Sequence, residues 1–348
     1  MNGASGLPAL RKVLREARER IQVNPDELKE ARRRRDLIRY VLRQEFGSDS
    51  RTYTNGSVAH RDALTPLTDV DLGIVVPNPD GEFGLYANGP GKLQDRAANA
   101  IRDKLKEEFP SLRVYNSEKR KRSVFVSFGA PVDPDEKDFT ADVIIALDHP
   151  WAGLWIPNHD SWDRSDPETH TRLVREAHKS SNDNFARTIR LLKHWSRRHS
   201  KPLCSWNIKA LGLASLSEDM DQLDGMMAWF DHAINDLAWR DTPDPAGVAG
   251  SISIPGDRTE LVRKLTAARA KLKEAIDYAN DGYDVLAVQA LATFFNDRDM
   301  LPPPPEEEAT KQQVKRQADL RAKTATTASA VVAAPLVRDR TPVRSWAP

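Results

Sequence analysis

The chain has 348 residues, 39% hydrophobic and 30% charged, with a net charge of +1. That length holds about two domains, and the composition suits a globular protein with polar extensions. The near-neutral balance excludes wholesale attraction to a long polyanion, so any nucleic-acid contact has to come from a local patch. Cys204 is the only cysteine, which excludes a disulfide framework and a thiolate zinc site. No apolar run nears the ~18 residues that span a bilayer, and the N-terminus leads into an Arg/Glu-rich stretch without a signal-peptide core. The expected setting is reducing and cytoplasmic, with no membrane partner.

Residues 8–21 read as a charged helix with Leu10, Val13, Leu14 and Ile21 on its apolar side. A second helix begins at Asn24, a good N-cap, with Pro25 in the first helical position and Asp26 and Glu27 complementing the dipole. Its stripe is Ile38, Val41, Leu42 and Phe46, and the arginines at 32–35 read as a solvated face.

Asn55-Gly56-Ser57 then forms a small-residue turn, followed by Thr68-Asp69-Val70-Asp71 at the mouth of an apolar strand. Alternate strand residues leave one face, so Asp69 and Asp71 project together about 6.6–7 Å apart along the backbone. Carboxylates so placed can converge on two divalent ions about 3.5–4 Å apart, as in in-line phosphoryl displacement. Gly56 lets the backbone approach an anion, and Ser57 offers a hydroxyl and an amide to phosphate oxygens. The plainer alternative is a loop with a capping Ser and two solvent-facing carboxylates.

Residues 77–91 are a Gly/Pro/Asn-rich loop, 94–109 a helix, and 112–115 and 123–128 strands. The basic run Glu118-Lys119-Arg120-Lys121-Arg122 between those strands reads as a hairpin tip, with phosphate contact as the alternative. The strand at 139–147 holds one ionisable residue, Asp142, inside an apolar run. Burying an unpaired carboxylate is costly. Asp142 is therefore either a third metal ligand beside Asp69 and Asp71 or a strand-end partner in a salt bridge; Asp138 and Asp148 are the fallback ligands.

Residues 151–166 read as a loop, and the chain beyond is helical: from an Asp166 cap with Pro167, then 185–199, 205–216, 220–237, 259–278 and 285–295. Pro302–Pro305 closes the folded part. Residues 306–323 read as a transient charged helix and the rest as disordered. The resulting division is 1–160, a catalytic lobe that includes the N-terminal helices; 161–301, a helical lobe; and 302–348, a tail. His149, His159, His170 and His178 match no usual zinc spacing, and Cys204 reads as a buried thiol.

Taken together, Gly56-Ser57, Asp69-x-Asp71, Asp142, Trp162 leading to Asp166-Pro167, Ile189-Arg190-Leu191-Leu192-Lys193-His194-Trp195 and Ser205-Trp206 resemble the bacterial cGAS/DncV-like nucleotidyltransferases, or CD-NTases, over residues 8–300. The resemblance implies an α+β fold: a polymerase-β-like nucleotidyltransferase core, a mixed sheet flanked by helices, with a C-terminal all-helical lobe. It implies that Asp69, Asp71 and Asp142 hold two Mg²⁺, with Mn²⁺ as a substitute. Gly56 and Ser57 would bind the donor triphosphate, Lys193 and Ser205 its distal phosphates, and Trp206 would stack on the base.

The implied activity is template-independent joining of ATP and/or GTP into a cyclic or short linear messenger for antiphage defence, sensed by a downstream effector. Nucleic acid is not required, though it remains open as activator or acceptor. Lys209 departs from the family pattern, which often has an acidic residue there. Two rivals stand beside this reading: nucleotide transfer to an RNA end or a protein, and a nucleotide-binding scaffold without chemistry.

Overall fold

The computed structural model describes residues 6–78, 80–84, 89–116 and 122–332. Helices α1 (Gly6–Arg20) and α2 (Pro25–Phe46) come first, then strand β1 (Arg51–Asn55), the single turn α3 (Gly56–Ala59) and strand β2 (Asp69–Val75). The expected start of α2 is found: Asn24 Oδ1 accepts the Asp26 amide at 2.9 Å, and Pro25 follows in the first turn.

Helix α4 (Pro90–Leu105), strands β3 (Arg113–Tyr115) and β4 (Val124–Ser127), and strand β5 (Thr140–Asp148) complete a sheet of order β1-β2-β5-β4-β3. Only β2 and β5 run parallel within that path. A parallel pair needs a long crossover, and α4 with the β3–β4 hairpin supplies it. Val70, Leu72 and Ile74 of β2 and Ala141, Val143 and Ile145 of β5 are buried with Ile38 and Leu42 of α2 and Ala97 and Ile101 of α4. Since strand side chains alternate, this packing commits Asp69, Asp71 and Asp142 to the opposite face. The hydrophobic pattern thus positions the acidic residues.

Several sequence expectations change. Arg34 is not on a solvated face: it is buried, its guanidinium donating to Asp138 at 2.9 and 3.0 Å and lying 4.6 Å from the Phe139 ring centre. The stretch expected to be a loop contains the hairpin β6 (Leu154–Asn158) and β7 (Ser161–Ser165), which extends the sheet from the end of β5. Trp162 from this hairpin enters the sheet core.

The helical lobe holds α5 (Pro167–Ser180), α6 (Asn184–Arg198), α7 (Ser205–Ser215), α8 (Gln222–Leu237), α9 (Arg258–Asn280) and α10 (Asp284–Phe295), close to the expected spans. Asp166 caps α5 as expected, accepting the Thr169 amide at 2.9 Å. Leu10, Leu14 and Ala17 of α1, with Ile21 just after it, pack with Trp195, Trp229 and Phe295, so α1 belongs to the helical lobe's core although the division at 160 puts it with the sheet.

The tail is also corrected. The helix α11 (Glu306–Val332) covers the stretch read as a transient charged helix and runs on into the part expected to be disordered. It docks on the lobe: Ala309 is buried, Gln312 Oε1 accepts the Leu286 amide at 2.8 Å, and Tyr283 donates to Asp319 at 2.9 Å. Residues 333–348 lie outside the described residues. Among the described residues no helix is long and apolar enough to cross a membrane.

Candidate active site

Parallel pairing of β2 with β5 sets Asp71 directly beside Asp142 and Asp69 beside Thr140. Asp69 and Asp71 line a cavity of about 390 Å³ between the sheet and the helical lobe. Asp142 is not in that lining; its Oδ1 accepts from Ser123 Oγ at 3.1 Å. The three carboxylates nevertheless act on one another. Burial first, then Asp69 and Asp142, push Asp71 up to about 7, and burial followed by Asp142 raises Asp69. Among the described residues no group of three His, Cys, Asp or Glu side chains is arranged to hold a metal ion.

The turn predicted to meet these carboxylates does meet them. Asn55 pairs with Asp71 across β1 and β2, and the chain then turns through Gly56 at φ +75°. A Cβ on Gly56 would stand 1.5 Å from Asp71 Oδ2, so only glycine allows backbone and carboxylate to share this space. Ser57 follows in the cavity wall.

The opposite wall comes from the helical lobe. Lys193 and Arg197 lie four residues apart on α6 and so share a helix face. Lys193 is buried and already engaged: its Nζ donates to Asp62 Oδ1 at 2.6 Å and to Asp62 O at 2.8 Å. Lys209 of α7 reaches Asp62 Oδ2 at 3.1 Å and donates to His60 Nδ1 at 2.8 Å. Burial works against the ionised form of Asp62, but Lys193 and Lys209 together outweigh it and hold the carboxyl well below its usual range. Burial lowers Lys193 to about 8, against the pull of Asp62.

His60 is pushed down to about 3, by burial first and then by the Lys209 charge, and so is neutral. Its Nδ1 accepts from Lys209, which leaves Nε2–H to donate to Thr171 Oγ1 at 3.0 Å; Thr171 in turn donates to Thr54 O at 3.1 Å. Two ammoniums against one carboxylate leave the floor of the cavity positive, facing the wall that carries Asp69 and Asp71.

No protein-family model and no curated protein matches the chain. Solved structures do. E. coli MS115-1 CdnC with ATP superposes with a TM-score of 0.61 at 16% identity, over 85% of this chain and 99% of that one. The Bradyrhizobium diazoefficiens CD-NTase CdnG in complex with GTP gives 0.56 at 14% identity, over 83% and 99%. Vibrio cholerae DncV cyclic AMP-GMP synthase, in complex with the linear intermediate 5′ pppA(3′,5′)pG, gives 0.52 at 16% identity, over 84% and 87%. The chain has the CD-NTase fold.

Within the CD-NTase fold, α7 carries the remaining expected residues. Ser205 is exposed in its first turn and Trp206 is half-buried; both line the cavity. The Trp206 ring centre lies 4.5 Å from that of His170, and His170 Nε2 is held by Asp244. Cys204 is exposed rather than buried. It caps α7, with Sγ donating to Asn207 Oδ1 at 2.8 Å and accepting the Asn207 amide at 3.4 Å.

The fallback ligands are occupied elsewhere: Asp138 by Arg34, and Asp148 by Arg51 at 2.7 Å. Of the basic run, Glu118–Lys121 lies outside the described residues, while Arg122 lines the cavity and donates to Asp163 at 2.7 Å. Sequence reasoning missed Asp62, His60, His170 and Arg197 in the site. Only Arg197 had a local signal, the four-residue spacing from Lys193.

Proposed function

We propose that this protein is a template-independent nucleotidyltransferase that joins ATP and/or GTP into a cyclic or short linear oligonucleotide messenger, serving antiphage defence through an effector that senses the product. The observation that supports this reading is the in-register β2–β5 pairing, which sets Asp142 beside Asp71, while Asp69 and Asp71 line the cavity with Gly56 and Ser57 opposite the lysine-rich floor. The bound ATP, GTP and linear intermediate named for the superposed structures agree with it.

An all-oxygen donor set of mutually repelling carboxylates suits a hard divalent cation. Mg²⁺ commonly takes one or two protein carboxylates and completes its shell with water and substrate phosphates, so a closed protein cage is not required. Asp69, Asp71 and Asp142 would hold two Mg²⁺ ions, which supply activation of the acceptor ribose hydroxyl and charge neutralisation at the departing pyrophosphate.

The chain's own residues do the rest. The Gly56 and Ser57 backbone cradles the donor triphosphate, and Ser205 at the start of α7 reaches its distal end, where the helix dipole favours negative charge. Lys193 and Lys209 lend positive potential from below while anchored by Asp62. Trp206, backed by His170, offers a face to the base. In a second transfer the product's own ribose hydroxyl attacks the α-phosphate of its remaining triphosphate, pyrophosphate leaves, and the ring closes.

Transfer to an RNA end or a protein draws less support. Arg190 and Arg197 of the basic helix donate inward, to the carbonyls of Arg61, Ala63 and Thr65, rather than presenting a phosphate-tracking surface. The deciding experiment is incubation of the purified protein with four NTPs and Mg²⁺, followed by phosphatase digestion and mass spectrometry. A phosphatase-resistant oligonucleotide, absent with Asp69→Asn, is expected; turnover only on addition of an RNA or protein acceptor would replace this reading.

A further inference from the structure

A second concavity lies on the helical lobe where α1 meets the first turns of α6 and α8, with a volume of about 690 Å³. Four guanidiniums line it, Arg11, Arg15, Arg18 and Arg187, against the carboxylates of Glu19 and Asp221. That is a surplus of two positive charges in one hollow. Arg11 is spoken for by Asp221 and, at 3.4 Å, by Asp224. Arg187 reaches only Asn184 Oδ1, at 3.4 Å, and among the described residues Arg15 makes no ion pair.

Arg18 is the informative member. It is 8% exposed and, among the described residues, it pairs with Glu19 at 3.6 Å and its Nε has no hydrogen-bond partner. Gln222 Oε1, on the α8 side of the same hollow, is likewise buried and has no partner among the described residues. Leaving a buried charged donor unmatched is expensive, and crowding guanidiniums together adds repulsion. Nothing in the packing of α1 demands it, because Leu10, Leu14 and Ala17 already fill that helix's apolar side. Burial, then Arg187, lowers Arg18 from the usual arginine value, in keeping with a site short of negative charge.

We propose that this pocket is a binding site for a small phosphate-bearing anion, separate from the cavity at the sheet. Guanidinium forks match phosphate oxygens two at a time. The N-terminal turn of α6, which also lines the pocket, adds the positive end of a fifteen-residue helix. The phosphoryl group would take the Arg18 Nε–H with Arg15 and Arg187, and a hydroxyl or amino group of the same ligand would donate to Gln222 Oε1. Arg187 and Arg197 are ten residues apart on α6, which at 1.5 Å per residue is roughly 15 Å. One ligand group therefore does not serve both places, and the proposal stands whether or not the cavity is catalytic.

The test is isothermal titration of the full chain with sodium pyrophosphate in EDTA. The proteins compared are the unmodified protein, the pocket variant Arg15→Gln/Arg187→Gln, and the cavity variant Arg197→Gln. Saturable binding is expected, at least tenfold weaker in the pocket variant, within twofold of the unmodified protein in the cavity variant, and weakening as NaCl rises. The single Arg15→Gln variant, with an expected loss of at least threefold, stands in if the double variant fails to fold by circular dichroism. Absence of saturable binding, equal affinity in the pocket variant, or loss confined to Arg197→Gln overturns the proposal. ATP titrated under the same conditions identifies the source: pocket-dependent binding tighter than pyrophosphate marks a nucleotide, and equal binding marks a free phosphoryl anion.

Discussion

Gly56 and Asp71 occupy each other's space: the carboxylate of one lies where the side chain of the other would be. The contact joins the turn to the acidic strand and makes both depend on a residue without a Cβ. Gly56→Ala would meet a clash with Asp71 and a left-handed backbone at φ +75°, a conformation that costs an L-residue about 1–2 kcal/mol before any clash is counted. We expect the melting temperature to fall by several degrees. Oligonucleotide synthesis should drop about 100-fold or more, since displacement of reacting groups by an ångström has that effect. A variant that keeps full turnover by mass spectrometry would mean that the turn does not serve the reaction.

Asp71 also carries a pH signature. Its folded value of about 7 lies above that of an unfolded aspartate, near 3.9, so the fold favours the neutral carboxyl. The stabilising contribution is complete below the unfolded value and is lost as pH rises through 7. In EDTA, Asp71→Asn should therefore melt higher than the unmodified protein at pH 8 and nearly level with it at pH 4. Mg²⁺ should raise the melting temperature of the unmodified protein at pH 8, through preferential binding to the folded state, but leave the variant unmoved. Activity of Asp71→Asn should be undetectable. Parallel melting curves across this range would show that Asp71 is not crowded by charge.

The features legible in the sequence rest on local rules. Alternation in β2 and β5 gave the shared face of Asp69, Asp71 and Asp142, and capping chemistry gave the starts of α2 and α5 at Asn24 and Asp166. What escaped depends on partners far along the chain. Asp62 looks like an ordinary loop residue until Lys193 and Lys209 arrive from two later helices. Arg34 reads as one of a run of surface arginines, yet Asp138 and three phenylalanine rings enclose it. The β6–β7 hairpin was hidden because Pro157 and polar residues break its alternation, and the docking of α11 on the lobe because its sequence is highly charged and few of its residues make the contact.

The Asp62 cluster yields a stability prediction. Removing one partner of a buried ion pair leaves uncompensated charge, at a cost of about 3–5 kcal/mol. Asp62→Asn should approach that loss in urea denaturation, because two buried ammoniums would then face each other without a counter-charge. Adding Lys209→Met to Asp62→Asn removes one of those ammoniums and should recover part of the stability, a non-additive result expected of residues in one network. Strict additivity of the two changes would mean that the lysines are not coupled through Asp62.

Trp206 separates binding from chemistry. Its ring lies on the cavity wall against His170, itself fixed by Asp244, so its orientation is set before any ligand arrives. Stacking of a base on an aromatic ring contributes about 1–3 kcal/mol, and it acts on the bound nucleotide as much as on the transition state. Losing it should therefore raise KM while leaving kcat nearly unchanged. Trp206→Ala is expected to raise the nucleotide KM about 5- to 150-fold, the range those energies convert to, and Trp206→Phe to raise it only a few-fold. Initial rates across a nucleotide titration distinguish the cases. A fall in kcat at constant KM would instead assign Trp206 to alignment of the reacting groups, and no change in either would return it to the lobe's packing, where part of its ring already lies.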